Sequence, residues 1–346
     1  MTQNKTGVAH SVDSIPSDRL TPARRLGFSL NPEAVKSLLL LGFLVAVYTW
    51  FATQSDLFAT LANTKNIFST ASVLGIVAFG QMVTIVGGGF DLSVGGTVPL
   101  GSVLYAQLLN SGMNAGTAVL IVVLIGGAVG AVNGVVVSRF NINPLATTLA
   151  TMSVAGGVAL AVANGVSIPF ERPVSVLSEP SVFGVDNSVW IFLAVGVVLW
   201  VVLRYTVFGR SLYAIGGNRE AARLAGLRIY AIETSTYVLS GMLAGLAGAI
   251  LASQVLTGSG TDGATIALGS VAAAIVGGVS LKGGQGGVPG TFLGVLILGT
   301  LGNGMQVLSI QAFYQTIATG VILLVAVAFS QLRWQAIWKP RSRGKS

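Results

Sequence analysis

Charge is so sparse along this chain that long stretches contain none. No Asp, Glu, Lys or Arg occurs between Asp91 and Arg139, between Arg139 and Glu171, between Glu233 and Asp262, or between Lys282 and Arg333. About 20 mainly apolar residues suffice to cross a bilayer as a helix. Over the whole chain 53% of residues are hydrophobic and 9% charged, whereas a soluble domain carries roughly 25% charged residues. So few charges do not clothe a water-facing surface, and lipid is the natural solvent. The expected fold class is therefore all-α, a polytopic transmembrane helix bundle. The 46 glycines beside 10 prolines point to close helix packing, because small residues let backbones approach in a bilayer.

The apolar runs predict about ten spans, near 37–53, 68–88, 95–110, 116–138, 144–164, 188–204, 236–256, 264–281, 288–308 and 313–330. The third and eighth are short and rich in glycine, so broken helices are expected there. Residues 1–35 form a polar tail with Pro16, Pro22 and Pro32. No apolar run follows a short basic region there, so the first run reads as a span rather than a secretory signal. The membrane domain covers 36–332, with a polar central segment at 204–235, and 333–346 form a basic tail.

Basic residues cluster three times: Lys5, Arg19, Arg24, Arg25 and Lys36; then Arg204, Arg210, Arg219, Arg223 and Arg228; then Arg333, Lys339, Arg341, Arg343 and Lys345. Lys and Arg mark cytoplasmic loops. All three clusters fall on the cytoplasmic side if six spans separate the first two and four the last two, which the span list satisfies. Arg139 and Lys282 then also lie inside. The outward loops hold Asp56, Lys65, Glu171, Arg172, Glu179, Asp186 and Asp262, an acidic excess. The net charge of +8 is thus a topology signal, and no nucleic-acid partner is expected.

Cysteine is absent, and the one histidine, His10, sits in the polar tail. Disulfides, thiolate metal sites and the usual nucleophile–base triads are therefore unavailable. No Gly-x-x-x-x-Gly-Lys-Ser/Thr phosphate loop occurs, so ATP would be hydrolysed elsewhere. No catalytic residue, metal site or bound cofactor is expected.

Chemistry concentrates in two segments. The first is Ile85-Val86-Gly87-Gly88-Gly89-Phe90-Asp91-Leu92-Ser93-Val94-Gly95-Gly96. A carboxylate at membrane depth is costly and normally faces a bundle interior or a wet cavity. Irregular backbone there is tolerated only where protein buries it or water reaches it, and broken helices line substrate paths in transporters. Asp91 is equally placed to cap the next helix. Gln81 and Ser93 join it as path candidates, since neutral hydroxylated solutes need hydrogen-bonding groups. Ile275-Val276-Gly277-Gly278, running into Ser280-Leu281-Lys282-Gly283-Gly284-Gln285-Gly286-Gly287, echoes the first segment; Asn133-Gly134 echoes Asn303-Gly304. Asn133 and Asn303 complete the path candidates.

The second is the central segment, where Gly216, Gly217 and Asn218 precede Arg219-Glu220-Ala221-Ala222-Arg223-Leu224-Ala225-Gly226-Leu227. Asn218 reads as an N-cap, with Glu220 in the first turn where the helix dipole favours negative charge. Ala221, Ala222, Leu224, Ala225 and Leu227 make a small apolar face opposite Arg219, Arg223 and Arg228. Such a helix lies on lipid headgroups or docks in a partner's groove.

Taken together, Gly-Gly-Phe-Asp-Leu-Ser-Val-Gly at 88–95, Tyr-Ala-Ile-Gly-Gly-Asn at 213–218 and Gly-Gly-Val-Ser-Leu-Lys-Gly-Gly-Gln-Gly at 277–286 resemble the ribose-type permeases of bacterial ABC sugar importers. The similarity runs through about residues 65–330. It implies a pair of permeases, with a second copy or a sister chain, in the inner membrane. It also implies a periplasmic binding protein that delivers a monosaccharide and a cytoplasmic ATPase that uses ATP to drive alternating access, in keeping with the two cytoplasmic termini that the basic clusters predict. Gly216, Gly217, Asn218, Glu220, Ala221, Ala222 and Gly226 would then belong to the coupling helix that enters the ATPase. The chain departs from the family at Ala267-Leu268-Gly269, where members commonly carry Glu-Leu-Asp; Asp262 does not align with either acid. Two other readings stand beside this one. A facilitator or secondary carrier is disfavoured in its proton-coupled form, because Asp91 is the only intramembrane relay group. A scaffold has no need of a buried carboxylate.

Overall fold

The computed structural model describes residues 32–170, 177–179, 182–261 and 263–331. His10, Glu171, Arg172, Asp262, the first four basic residues and the C-terminal basic cluster lie outside the described residues.

The described residues form twelve helices: α1 (Pro32–Gln54), α2 (Leu61–Val86), α3 (Val94–Asn110), α4 (Ala115–Phe140), α5 (Pro144–Val162), α6 (Asn187–Tyr205), α7 (Val207–Gly217), α8 (Arg219–Leu224), α9 (Ile229–Val255), α10 (Gly263–Val276), α11 (Val288–Val307) and α12 (Ala312–Gln331). All but α7 and α8 correspond one for one to the ten expected spans. Seven are long and apolar enough to cross a membrane. The 14 residues of α10 reach only about 21 Å at 1.5 Å per residue, short of a hydrocarbon core about 30 Å thick. Two-residue strands β1 (Ile168–Pro169) and β2 (Thr257–Gly258) pair antiparallel and join the loops after α5 and α9.

Three helices begin well before their expected spans: α1 at Pro32, which takes in Glu33 and Lys36, α2 at Leu61 and α9 at Ile229. Lys65 lies inside α2 because its ammonium donates to the Phe183 carbonyl at 2.9 Å. Glu233 lies inside α9 because Arg219 holds it in an ion pair at 2.7 Å. A charge that finds a partner near a helix end need not end the helix.

Packing follows glycine. A Cβ on Gly126 would stand 2.2 Å from the Gly241 carbonyl oxygen, and one on Gly241 2.1 Å from that of Gly126. The α4 and α9 backbones therefore touch directly, the contact that small residues permit in lipid. At the centre, α2 is buried over 89% of its spanning window, whereas α1 is buried over 6% and sits at the periphery. Phe192 of α6 stacks on Phe79 of α2 and on Phe292 of α11, at 5.2 and 5.4 Å.

Asn303 closes the far end of the bundle. Its amide exchanges reciprocal hydrogen bonds with Asn63 of α2, at 2.9 and 3.0 Å. Asn303→Ala should lower thermal stability by about 1 kcal/mol, the usual worth of an interhelical hydrogen bond, read as a lower melting temperature in detergent. Unchanged melting would mean that the pair contributes nothing.

Candidate functional site

Both glycine-rich segments break the bundle in the same way. After α2, Gly88 N–H donates to Ile85 O at 2.9 Å and Gly89 N–H to Thr84 O at 2.9 Å; after α10, Gly278 N–H donates to Ile275 O at 2.9 Å and Val279 N–H to Ala274 O at 3.0 Å. Gly88 and Gly278 share a φ of +88°. This is the left-handed helix stop that glycine adopts without a Cβ penalty. The sequence echo is thus realised as a shared cap geometry.

The two breaks meet each other and the end of α7. Gly284 N–H donates to Val86 O at 2.8 Å, joining the breaks through backbone. Gly216 is wedged against that bond: a Cβ there would stand 1.8 Å from Val86 O and 2.6 Å from Gly284 N. Tyr213, one turn earlier on α7, donates its hydroxyl to Gly286 O at 2.8 Å. The central segment therefore grips both broken helices at one junction.

Beyond the first break stands Asp91, fully buried. Its Oδ1 accepts the Ser93 backbone N–H at 3.1 Å and the Ser93 hydroxyl. This closes a local turn that leads into α3, the usual work of an Asp before a helix. Asn133 of α4 donates its amide to Ser93 Oγ at 2.8 Å, and Thr151 of α5 donates to Asn133 Oδ1 at 2.6 Å. A continuous polar chain thus ties the break to two further helices. On the other side stand Tyr237 and Ser240 of α9, next to the carboxylate. Asp91 Oδ2 and both hydroxyls are buried together at this point. Both amide atoms of Gln81 on α2 are buried without a hydrogen-bond partner among the described residues.

That geometry predicts how Asp91 variants behave. Asparagine keeps an oxygen at Oδ1, so Asp91→Asn should fold and melt like the native protein. Asp91→Ala removes the acceptor of both Ser93 bonds and should cost about 1–2 kcal/mol, read by thermal melting. Equal melting of Ala and native proteins would show that the turn does not need the carboxylate. Loss of uptake alone in Asp91→Asn would assign its charge to transport.

The central segment forms as its caps dictate. Thr206 Oγ1 accepts Gly209 N–H at 3.3 Å to start α7, and Asn218 Oδ1 accepts Ala221 N–H at 2.9 Å to start α8. Gly226, at φ +78°, ends α8, and Leu227 N–H returns to Ala222 O at 3.1 Å. Ala222 packs inward with Ile215 and Ile229, while Leu224 is 76% exposed. Of the expected apolar face, then, Ala222 anchors α8 and Ala221, Leu224 and Ala225 stand free. Arg223 hydrogen-bonds Glu220 at 2.6 Å, which holds the Glu220 carboxyl below its usual range. Arg219 clasps Glu233 with two bonds, at 2.7 and 3.1 Å, and its guanidinium is raised by them.

A cavity of about 360 Å³ opens beside the junction. Its wall comes from Gly87–Gly89, the 141–144 turn between α4 and α5, residues 215–219, the start of α9 and Lys282. The structure thus gathers Asp91, Ser93 and Asn133 at the first break and places Gly216, Gly217 and Asn218 on the cavity wall. Asn303 lies at the opposite end, with partners unlike those of Asn133. Sequence reasoning missed Thr151, Tyr237, Ser240 and the Gly283–Gly284 contact. Tyr237 and Ser240 share one helix face by their spacing of three, but nothing in the sequence pairs that face with Asp91.

Comparison with known proteins follows this geometry. The family described as branched-chain amino acid transport system / permease component matches residues 63–327. The chain is 36% identical over 319 residues to the L-arabinose ABC transporter permease protein AraH of Azospirillum brasilense, covering 92% of this chain and 94% of that protein. It is 36% identical over 297 residues to the ribose import permease protein RbsC of Escherichia coli K12, covering 84% and 92%. The ribose import permease protein RbsC of Bacillus subtilis is also 36% identical, over 268 residues, covering 77% and 83%. No solved structure matches the chain.

Proposed function

Because the chain belongs to the branched-chain amino acid transport system / permease component family, we propose that it is the membrane-spanning permease of an ATP-binding-cassette importer for a monosaccharide, a ribose-like pentose or a hexose. One observation carries the choice of cargo. The family description names amino acids, but 36% identity across 92% of the chain joins it to a permease named for L-arabinose, and ribose permeases match at the same level.

In this reading the bacterial inner membrane holds the chain with both termini cytoplasmic, so the end bearing Arg139, Arg219 and Lys282 faces the cytoplasm. A separate cytoplasmic ABC ATPase hydrolyses ATP, and this chain binds no cofactor and catalyses no reaction. A periplasmic sugar-binding protein delivers the cargo, and a second copy or a sister permease completes the membrane pair. Support for the ATPase contact comes from α8: it is capped, anchored through Ala222 and presents Leu224 to solvent. Gly216, Gly217, Asn218, Glu220, Ala221, Ala222 and Gly226 are the proposed coupling residues. Gln81, Asp91, Ser93 and Asn133 are proposed along the solute path at the first break, with Asn303 toward its outer end.

Competition tests the cargo. In cells expressing the chain with its ATPase and binding protein, uptake of labelled ribose should fall in excess unlabelled L-arabinose or ribose and stay unchanged in excess leucine. Uptake of labelled leucine, with no uptake of labelled ribose, would move the chain to amino-acid cargo.

A further inference from the structure

We propose that the cavity beside the glycine junction is a regulatory site for the imported solute, a neutral polyhydroxylated molecule that binds from the cytoplasm and slows its own import. This rests on the sugar-importer reading above. At about 360 Å³ the cavity falls within the size range of small-molecule sites, roughly 300–1,000 Å³.

Its chemistry suits a neutral polyol, with the Lys282 ammonium a further donor on the wall. The Arg219 fork, which would otherwise grip a carboxylate or phosphate in two-point fashion, is already engaged by Glu233 at 2.7 and 3.1 Å. Asn143 and Asn218 commit their Oδ1 atoms to capping, at 2.8 and 2.9 Å. Their amide hydrogens are left to a ligand or solvent. Thr84 and Thr236 donate to carbonyls of their own helices, so each hydroxyl oxygen remains an acceptor. Tyr237 adds an aromatic side chain to the wall. Sugar hydroxyls both donate and accept, and they use donors and acceptors of this kind together.

Its position makes an occupant inhibitory. The wall draws on both glycine breaks, the end of α7 with the first residue of α8, the 141–144 turn and the start of α9. In this proposal, import requires the central segment to move against the broken helices that it touches at Gly216. A ligand that touches all of these favours the arrangement in which they surround it, and shifts the population by its preference for that state.

The test uses proteoliposomes containing the chain and its ATPase, with binding protein and labelled ribose or L-arabinose inside. ATP added outside then selects complexes whose ATPase faces the bath. Unlabelled sugar in the bath should slow initial ATP-driven release about five- to tenfold, the scale of ordinary allosteric coupling. The double variant Asn141→Gly/Thr236→Val strips two polar side chains from the wall. Glycine accepts the positive φ of 53° at position 141, and valine preserves shape at 236. It should transport normally in sugar-free bath and be slowed less than about twofold. Normal ATP-driven release that bath sugar leaves unslowed in the native chain overturns the proposal and leaves the importer reading intact. Equal slowing of native and variant chains also overturns it, by placing the effect elsewhere. No ATP-driven release of either sugar defeats the importer reading itself.

Discussion

Gly216→Ala is expected to reduce ATP-driven uptake at least about tenfold, and Gly217→Ala, one residue on, to reduce it far less. A Cβ at Gly216 would lie 1.8 Å from Val86 O and 2.6 Å from Gly284 N, while one at Gly217 meets nothing within 4 Å. Both obstructing atoms are backbone, and the hydrogen bond between them joins the two broken helices. No side-chain rotation relieves the clash, so α7 must back away or the breaks must part. Overpacking of this kind costs about 1–3 kcal/mol, and about 1.4 kcal/mol is tenfold in an equilibrium. Uptake and ATPase rate measured together identify the failure. Loss of uptake with ATP hydrolysis continuing means that the junction transmits the motion. Normal uptake in Gly216→Ala would show that the contact is dispensable.

The second large effect is expected at Leu224. Its side chain is 76% exposed on a six-residue helix whose inward anchor is Ala222. Nothing in the chain's own packing depends on it, so Leu224→Asp should leave the melting temperature of the isolated chain unchanged. If α8 enters a groove of the ATPase, a carboxylate there is buried without a partner. Disruption of a central interface anchor costs about 2 kcal/mol or more, some 30-fold in affinity. The ATPase should then fail to co-purify with a well-folded permease. Retained association would place the docking surface elsewhere on the cytoplasmic face. Ala222→Asp is the informative contrast, because it should destabilise the chain itself.

Much of this architecture was legible in the sequence because the bilayer enforces it. Charge-free runs become helices wherever water is absent, and the two runs shortened by glycine correspond to α3 and α10, of 17 and 14 residues. Asn218 was readable as a cap because capping is local chemistry. The boundaries of α2 and α9 were not, because Lys65 and Glu233 stay inside their helices through partners distant in sequence. The junction was hidden for the same reason. Gly216, Val86 and Gly284 lie far apart along the chain, and glycine carries no side-chain signature to say which backbone it will touch. Asn133 and Asn303 look alike in sequence yet have different partners, so short echoes predict local shape better than role. Asp91 was readable as a buried carboxylate at a helix start, but its neighbours Tyr237 and Ser240 come from α9, beyond the reach of local pattern.

The central claim is that this chain moves a sugar only when a separate ATPase drives it. Reconstitution of the chain into proteoliposomes, with and without its ATPase subunit, with binding protein present and ribose as the labelled solute, tests it most directly. The account predicts uptake that requires both the ATPase and ATP and is absent from vesicles holding the chain alone. Ribose uptake by the chain alone, indifferent to ATP, would contradict it and make the protein a facilitator.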